Sequence, residues 1–336
     1  MKRHWLKWIC MGLGLLTFLL IALNLNNASA VDSAVYRAVS KLYSSPATGL
    51  FIGFSQMAGP VVLLIISLAL VFLLPKNQYR IPLLINLCLC MLLNLGLKHL
   101  FLRERPVDVV RLITETGYSF PSGHAMMGTC FYGFLIYLLW QLCHRKVLRN
   151  LLTAFLSLII VLICTSRIYL GVHFFTDVFA GMCISVCYLI VFTSLVDRFF
   201  KHDESVKLPG MVINDNNRFL FSFVYAFNGI LSGVKSERNM VIHFSALTTV
   251  TVFGALLDIS QTEWIACIIL FGVVIMAELM NTAIETVVDM ICPQKDPHAK
   301  IAKDTAAGAV LMVAIAAAVV GAIIFVPKLM ALVSEL

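Results

Sequence analysis

Three clusters of polar and ionisable residues interrupt an otherwise apolar chain of 336 residues, and their types suit the handling of a phosphate group. The first is Lys98 followed by Arg105-Pro106, the second Pro121-Ser122-Gly123-His124, and the third Ser166-Arg167 followed by His173 and Asp177. Guanidinium and ammonium donors neutralise phosphate oxygens, so Lys98, Arg105 and Arg167 read as three fixed cations with no carboxylate cage around them. The Ser122-Gly123 turn puts backbone N–H groups at a helix start, a further anion site. His173 and Asp177 stand four residues apart, so on one helix the carboxylate can orient the imidazole and stabilise its cationic form, as an activated nucleophile requires. His124 arrives from another segment and is free to serve as general acid to a leaving oxygen. Taken singly, each piece has a plainer explanation: a Ser-Gly-His turn, an arginine snorkelling to headgroups, a structural histidine at a helix end. The spacings together make the site.

A second constellation lies near the C-terminus. Glu278, Asn281, Glu285 and Asp289 recur at helical spacing and share one narrow face of a long apolar segment. An ionised residue at a bilayer centre costs about 2.5 to 3.5 kcal/mol, less toward an end, so two glutamates on such a helix need compensation. Lys303-Asp304 and Glu237-Arg238-Asn239 stand at the starts of neighbouring apolar segments. Carboxylates from separate helices can share a magnesium ion, and Lys303 can meet the phosphates of a nucleotide. An interhelical polar lock or an ion path is the other reading of this acidic stripe.

The elements that must position these residues are membrane helices. The chain is 60% hydrophobic and 13% charged, with a mean hydropathy of +0.92. Apolar runs able to cross a bilayer, which takes about 20 helical residues, fall at 6–23, 49–74, 81–97, 124–142, 150–166, 174–197, 240–257, 264–286 and 306–327. With the N-terminus in the cytosol, 17 of the 25 Lys and Arg fall in cytosolic segments and 8 outside, as the positive-inside rule asks. The net charge of +7 therefore reads as topology, and no nucleic-acid partner is expected. This orientation puts the first constellation outside and the second on the cytosolic side. Lys2, Arg3 and Lys7, an apolar stretch and Ala28-Ser29-Ala30 also fit a cleavable leader, and a retained anchor is the preferred reading. The ten cysteines lie mostly in apolar runs without metal-type spacing and read as small core residues. The polar stretch from Lys201 to Asn217 marks a boundary between domains at 1–205 and 206–336. After it, residues 218–234 (with Phe219, Phe223, Ala226, Phe227 and Ile230) read as an interfacial helix.

The three outer clusters resemble the three-part signature of the type 2 phosphatidic acid phosphatase superfamily, over roughly residues 1–200. That resemblance implies a six-helix bundle with no metal cofactor. In it His173 forms a phosphohistidine, Asp177 supports it, His124 protonates the leaving group, and Lys98, Arg105, Ser122, Gly123 and Arg167 hold the phosphate. Glu278-Leu279-Met280-Asn281-Thr282-Ala283-Ile284-Glu285, followed by Ala302-Lys303-Asp304, resembles the small integral-membrane diacylglycerol kinase family over about 218–327. Glu237-Arg238-Asn239-Met240-Val241-Ile242-His243 is closer to its undecaprenol kinase branch. This second resemblance implies three membrane helices preceded by the interfacial one. It makes Glu278 the general base toward a lipid hydroxyl and Glu237 and Glu285 magnesium ligands, sets Asn281, Lys303 and Asp304 around ATP, and implies a homotrimer with shared sites. The loop Gln294-Lys295-Asp296-Pro297-His298 departs from the Glu-Tyr-His usual in that family. The expected fold class is thus all-α and integral to a bacterial cytoplasmic membrane.

A kinase that made phosphatidic acid beside a phosphatase that removed the phosphate would undo its own work. A diphosphatase acting on undecaprenyl diphosphate and a kinase acting on undecaprenol would both yield undecaprenyl phosphate, the carrier for wall polymers, and this pairing is the expectation. The alternative is a phosphatidic acid or phosphatidylglycerophosphate phosphatase joined to a diacylglycerol kinase. A transporter or sensor is the remaining class, and its marks, broken helices in matched halves, are not seen in the sequence.

Overall fold

A computed structural model describes residues 4–25, 30–107, 109–201 and 218–334. The leader-like Ala28-Ser29 and the boundary stretch from His202 to Asn217 lie outside the described residues. The chain divides into two compact units, Met1–Leu70 with Ile85–Val196, and Val71–Leu84 with Asp197–Leu336. Among the described residues every regular element is helical.

The first unit draws on α1 (His4–Ala22), α2 (Ala30–Ser40), α3 (Ser45–Gln56), α4 (Pro60–Leu73), α5 (Asn77–Phe101), α6 (Gly123–Leu142), α7 (Lys146–Tyr169) and α8 (Phe175–Val196). The apolar run expected as one span at 49–74 is broken. α3 and α4 meet at a 55° bend, because Pro60 has no N–H to continue the α3 ladder and the preceding Gly59 donates to the Gln56 carbonyl at 2.8 Å. A Cβ on Gly59 would lie 3.0 Å from that same oxygen. Among the described residues eight helices are long and apolar enough to cross a membrane, nine spans if this bent pair counts as one.

Helices α6, α7 and α8 pack together and α1 lies along α8. Phe18, Phe101 and Phe120 interlock at ring-centroid distances of 5.1 to 6.0 Å, which ties the loop before α6 to α1 and to the end of α5. Tyr169, fully buried, stacks on Phe51 at 4.2 Å and faces Tyr43 edge-on at 4.9 Å. Beyond α7 the chain reverses at Gly171, whose φ of +71° is the left-handed region. A Cβ there would come 2.2 Å from the Val110 carbonyl, so no other residue fits, and this turn delivers His173 to the start of α8.

The second unit contains α9 (Arg218–Ser236), α10 (Asn239–Leu256), α11 (Gln261–Ile291) and α12 (Pro297–Ser334). α9 is the amphipathic helix expected ahead of three spans: Phe223, Phe227 and Ile230 are exposed, whereas Phe221 and Val234 are buried. α11 begins with a full capping box, Ser260 accepting from the Glu263 N–H and the Glu263 carboxylate accepting from the Ser260 N–H at 2.6 Å. It runs 31 residues and α12 runs 38, both beyond what a bilayer core needs. The two helices pack against each other. Ile268 on α11 and Met312 and Val319 on α12 point outward, a surface suited to acyl chains.

Candidate active sites

In the first unit the catalytic-type pair forms, with two differences from expectation. His173 is not on the helix that carries Asp177. It precedes α8, and Asp177 sits in the first turn, where its Oδ2 accepts the Phe174 N–H at 2.9 Å. The imidazole Nδ1 lies 3.6 Å from Asp177 Oδ2, and Ser119 Oγ stands between them, 3.2 Å from Nδ1 and 2.5 Å from Oδ2. A proton on Nδ1 lets the imidazole donate to Ser119 while the hydroxyl donates to the carboxylate. That tautomer leaves the Nε2 lone pair free, and Nε2 is 3.3 Å from Arg105 Nη1. Asp177 Oδ1 also accepts from Arg103 Nη1 at 2.5 Å. Arg103 lies over the Phe174 ring at 4.2 Å and 3.7 Å from Asp32 of α2.

Arg105 is held by three carbonyls, those of Gly117 at 3.0 Å, Thr116 at 2.8 Å and Val172 at 3.0 Å. Arg167 is wholly buried; its Nη1 donates to Ser55 Oγ and its Nη2 to Glu115 Oε1 at 2.6 Å. The other Glu115 oxygen is 3.7 Å from Arg105 Nη2. The expectation of cations without a carboxylate is therefore corrected: a loop glutamate with no periodic signal in the sequence folds in among them. Lys98 and His124 are half-buried and lie within electrostatic reach of both arginines. Ser122 is buried with its Oγ unpartnered among the described residues. Its N–H donates to the Asp177 carbonyl at 3.2 Å, so the free N–H groups of this helix start belong to Gly123 onward. A cavity of about 850 Å³ reaches the site, lined by Asp32, Phe101, Arg103, Arg105, His173 and Phe174 among others.

Burial, then the charges of Arg167, Arg105 and Lys98, hold the His173 imidazole well below its ordinary value of 6.5. The group is thus neutral and nucleophilic at neutral pH, and only acid well below pH 6.5 protonates it. The kcat/KM of phosphate release is accordingly expected to stay level as pH falls through 6.5 and to decline only on further acidification. An acid limb centred at or above 6.5, measured with a short-chain soluble substrate, contradicts this environment for His173.

In the second unit Glu278 of α11 is fully buried with neither carboxylate oxygen hydrogen-bonded among the described residues. His243 Nε2 from α10, also unpartnered, stands 3.8 Å from Oε2. One turn on, Asn281 Nδ2 donates to Glu285 Oε1 at 3.1 Å while its own Oδ1 has no partner among the described residues. Lys303 Nζ is 2.5 Å from Asp289 Oδ1. Lys303 and Asp304 line a cavity of about 720 Å³ with Asp289, Lys300 and the Gln294–Pro297 loop. A separate apolar cavity of about 370 Å³ begins at His243 and continues along Leu247, Phe271, Val274, Ala318 and Gly321. Among the described residues no three His, Cys, Asp or Glu side chains converge on a metal position. Magnesium takes one or two carboxylates and completes its shell with phosphates and water, and Glu285 and half-buried Glu237 are donors of that kind.

Comparison with known proteins matches residues 80–201 to the PAP2 superfamily and residues 224–325 to the prokaryotic diacylglycerol kinase family. The undecaprenol kinase of Bacillus subtilis (strain 168) is 44% identical over 116 residues, 34% of this chain and 94% of that protein. The chain fuses a PAP2 superfamily domain to a prokaryotic diacylglycerol kinase family domain. Phosphatidylglycerophosphatase B of the same bacterium is 40% identical over 119 residues, 34% of this chain, and the match spans about half, 54%, of that relative. The crystal structure of a transmembrane PAP2-type phosphatidylglycerolphosphate phosphatase from Bacillus subtilis superposes with a TM-score of 0.52 at 26% identity, covering 59% of this chain and 98% of that one. The protein is therefore a multi-pass membrane enzyme with a lipid phosphatase and a lipid kinase in one chain.

In the PAP2 domain the expected residues converge, from Lys98 at the end of α5 to Asp177 in α8. Ser119, Arg103, Asp32 and Glu115 were not foreseen. In the kinase domain Glu278, Asn281 and Glu285 share a face as expected, Lys303 and Asp304 line a cavity that those three do not, and His243 opposite Glu278 is the addition.

Proposed function

We propose that the kinase domain phosphorylates undecaprenol from ATP and that the PAP2 domain hydrolyses undecaprenyl diphosphate, so that both deliver undecaprenyl phosphate. The observation that carries this reading is the 44% identity across 94% of an undecaprenol kinase. A shared product also gives the fusion a purpose, which opposed reactions on one glycerolipid would not.

In the phosphatase, His173 Nε2 attacks the terminal phosphorus, the bond to the bridging oxygen breaks, and His124 gives that oxygen its proton as undecaprenyl phosphate leaves. Water then attacks the phosphohistidine with His124 taking the proton, and inorganic phosphate departs. Lys98, Arg105, Arg167, the Ser122 hydroxyl and the Gly123 N–H hold the transferred group, and Ser119 with Asp177 keeps the Nδ1 proton in place. No step calls for a metal. In the kinase, Glu278 takes the proton of the lipid hydroxyl, with His243 Nε2 3.8 Å from its Oε2, while the hydroxyl oxygen attacks the γ-phosphorus of ATP, the bond to the β,γ-bridging oxygen breaks and ADP leaves. Asn281, Lys303 and Asp304 hold the nucleotide, and Glu237 and Glu285 would hold magnesium, whose charge would offset that of the phosphates. The chain is proposed to work as a homotrimer in a bacterial cytoplasmic membrane, N-terminus in the cytosol, with the phosphatase reaction outside and the kinase reaction on the ATP side.

The names of the phosphatase relatives favour a second reading, a phosphatidylglycerophosphate phosphatase. Purified protein assayed side by side decides: phosphate release from undecaprenyl diphosphate and phosphatidylglycerophosphate, and Mg-ATP-dependent phosphorylation of undecaprenol and diacylglycerol. The prenyl substrates are expected to turn over faster at both sites, and EDTA to stop the kinase alone. Preference for the glycerolipids at either site overturns the prenyl reading there.

A further inference from the structure

Glu115 occupies a position that the phosphatase reaction does not explain. Its two carboxylate oxygens face the Nη2 atoms of the two arginines proposed to hold the phosphate, at 2.6 Å from Arg167 and 3.7 Å from Arg105. Those donors are the ones a phosphate oxygen would use, and carboxylate and phosphate recognise the guanidinium fork in the same way. One set of donors cannot serve both anions at once.

The anchoring of the three side chains differs. Arg105 also donates to the carbonyls of Gly117, Thr116 and Val172, and Arg167 to Ser55 Oγ, none of which is the Glu115 carboxylate. The Arg167 side chain is 0% exposed and that of Arg105 6%, whereas that of Glu115 is 26% exposed and comes from the loop between α5 and α6. The carboxylate can leave while the guanidinium groups stay. A buried guanidinium stripped of its counter-ion is costly, so exchanging one anion for another keeps Arg167 paired at every stage of a turnover.

We propose that Glu115 is a resident counter-anion of the phosphatase site, displaced from Arg167 and Arg105 by the phosphate group of the substrate and returning as inorganic phosphate departs. It thereby sets how tightly the site holds any phosphate-like anion, weakening retention of the product. The inference rests on the proposed phosphate position between these arginines.

The test measures inhibition of phosphatase activity by orthovanadate and by inorganic phosphate in the full-length detergent-solubilised protein. In Glu115→Gln, which keeps the shape and removes the charge, both inhibition constants and KM are expected to fall about tenfold, the size of one charge-assisted contact, with kcat falling as phosphate release slows. Unchanged or weaker inhibition overturns the proposal, since a residue that merely braced Arg167 would weaken anion binding when lost. Measurable phosphatase turnover and the melting temperature of the same sample report that the PAP2 domain has folded. Should Glu115→Gln fail that control, Glu115→Asp, whose carboxylate stops short of the arginines, is expected to shift the constants in the same direction, and no shift there counts against the proposal. Arg105→Gln separates the two levels of the argument: if it leaves vanadate inhibition intact, the phosphate position itself is wrong.

Discussion

His173→Ala is expected to lower phosphatase turnover by about a thousandfold or more, the loss that accompanies removal of a nucleophile acting with its orienting partners, and to leave lipid kinase activity unchanged. The effect should be this large because Nε2 is the only unprotonated nitrogen that the Ser119–Asp177 arrangement presents to Arg105. Neither Ser119 nor Asp177, both engaged in that arrangement, is free to replace it. His124→Ala gives the complementary result, since a site that keeps its nucleophile but lacks the general acid and base should form phosphohistidine slowly and hydrolyse it more slowly still. An acid-labile phosphoenzyme from labelled substrate, seen in wild type or His124→Ala and absent from His173→Ala, is the signature to look for. Near-normal phosphate release by His173→Ala would sink the imidazole mechanism.

The helices were legible because a bilayer demands long apolar runs, and the chain supplies them at each place where a long helix stands. Two features broke that rule. The run at 49–74 gave no warning of the bend at Gly59-Pro60 beyond the Gly-Pro pair itself, and α2, with 11 residues, is too short and too polar to register as a span although it brings Asp32 to Arg103. Lys98, Arg167 and both histidines of the phosphatase site were legible because they sit at or beside helix ends, and Arg105 through its fixed spacing from Lys98. Glu115, Ser119 and Arg103 were not, because residues 102–122 follow no helical or strand period and only their wrapping around Arg105 brings them to the site. Arg103 carried a weak signal, a third basic residue in the run from Lys98 to Arg105. In the kinase domain the i, i+3, i+7 pattern placed Glu278, Asn281 and Glu285 on one face. His243 stood in a quoted motif without a role, since its approach to Glu278 depends on how α10 packs against α11, which no local pattern encodes.

Glu278→Gln is expected to cut lipid kinase activity by about 10² to 10⁴, the range for losing a positioned general base, while phosphatase activity in the same sample is unchanged. The reason is the state of this carboxylate. Both oxygens are buried without a hydrogen bond among the described residues, and the nearest candidate, His243 Nε2, stands 3.8 Å away and is itself unpartnered. Buried polar groups in native proteins are almost always bonded, and the exceptions that persist cost stability. A structural carboxylate would be paired, and its loss would destabilise α11. An unpaired one held ready for a substrate hydroxyl predicts the opposite, that Glu278→Gln melts at the wild-type temperature or above. Kinase loss together with retained thermal stability therefore identifies a base waiting for its substrate. A folded Glu278→Gln protein that loses both activities would refute separable sites, and one that keeps kinase activity would remove Glu278 from the chemistry.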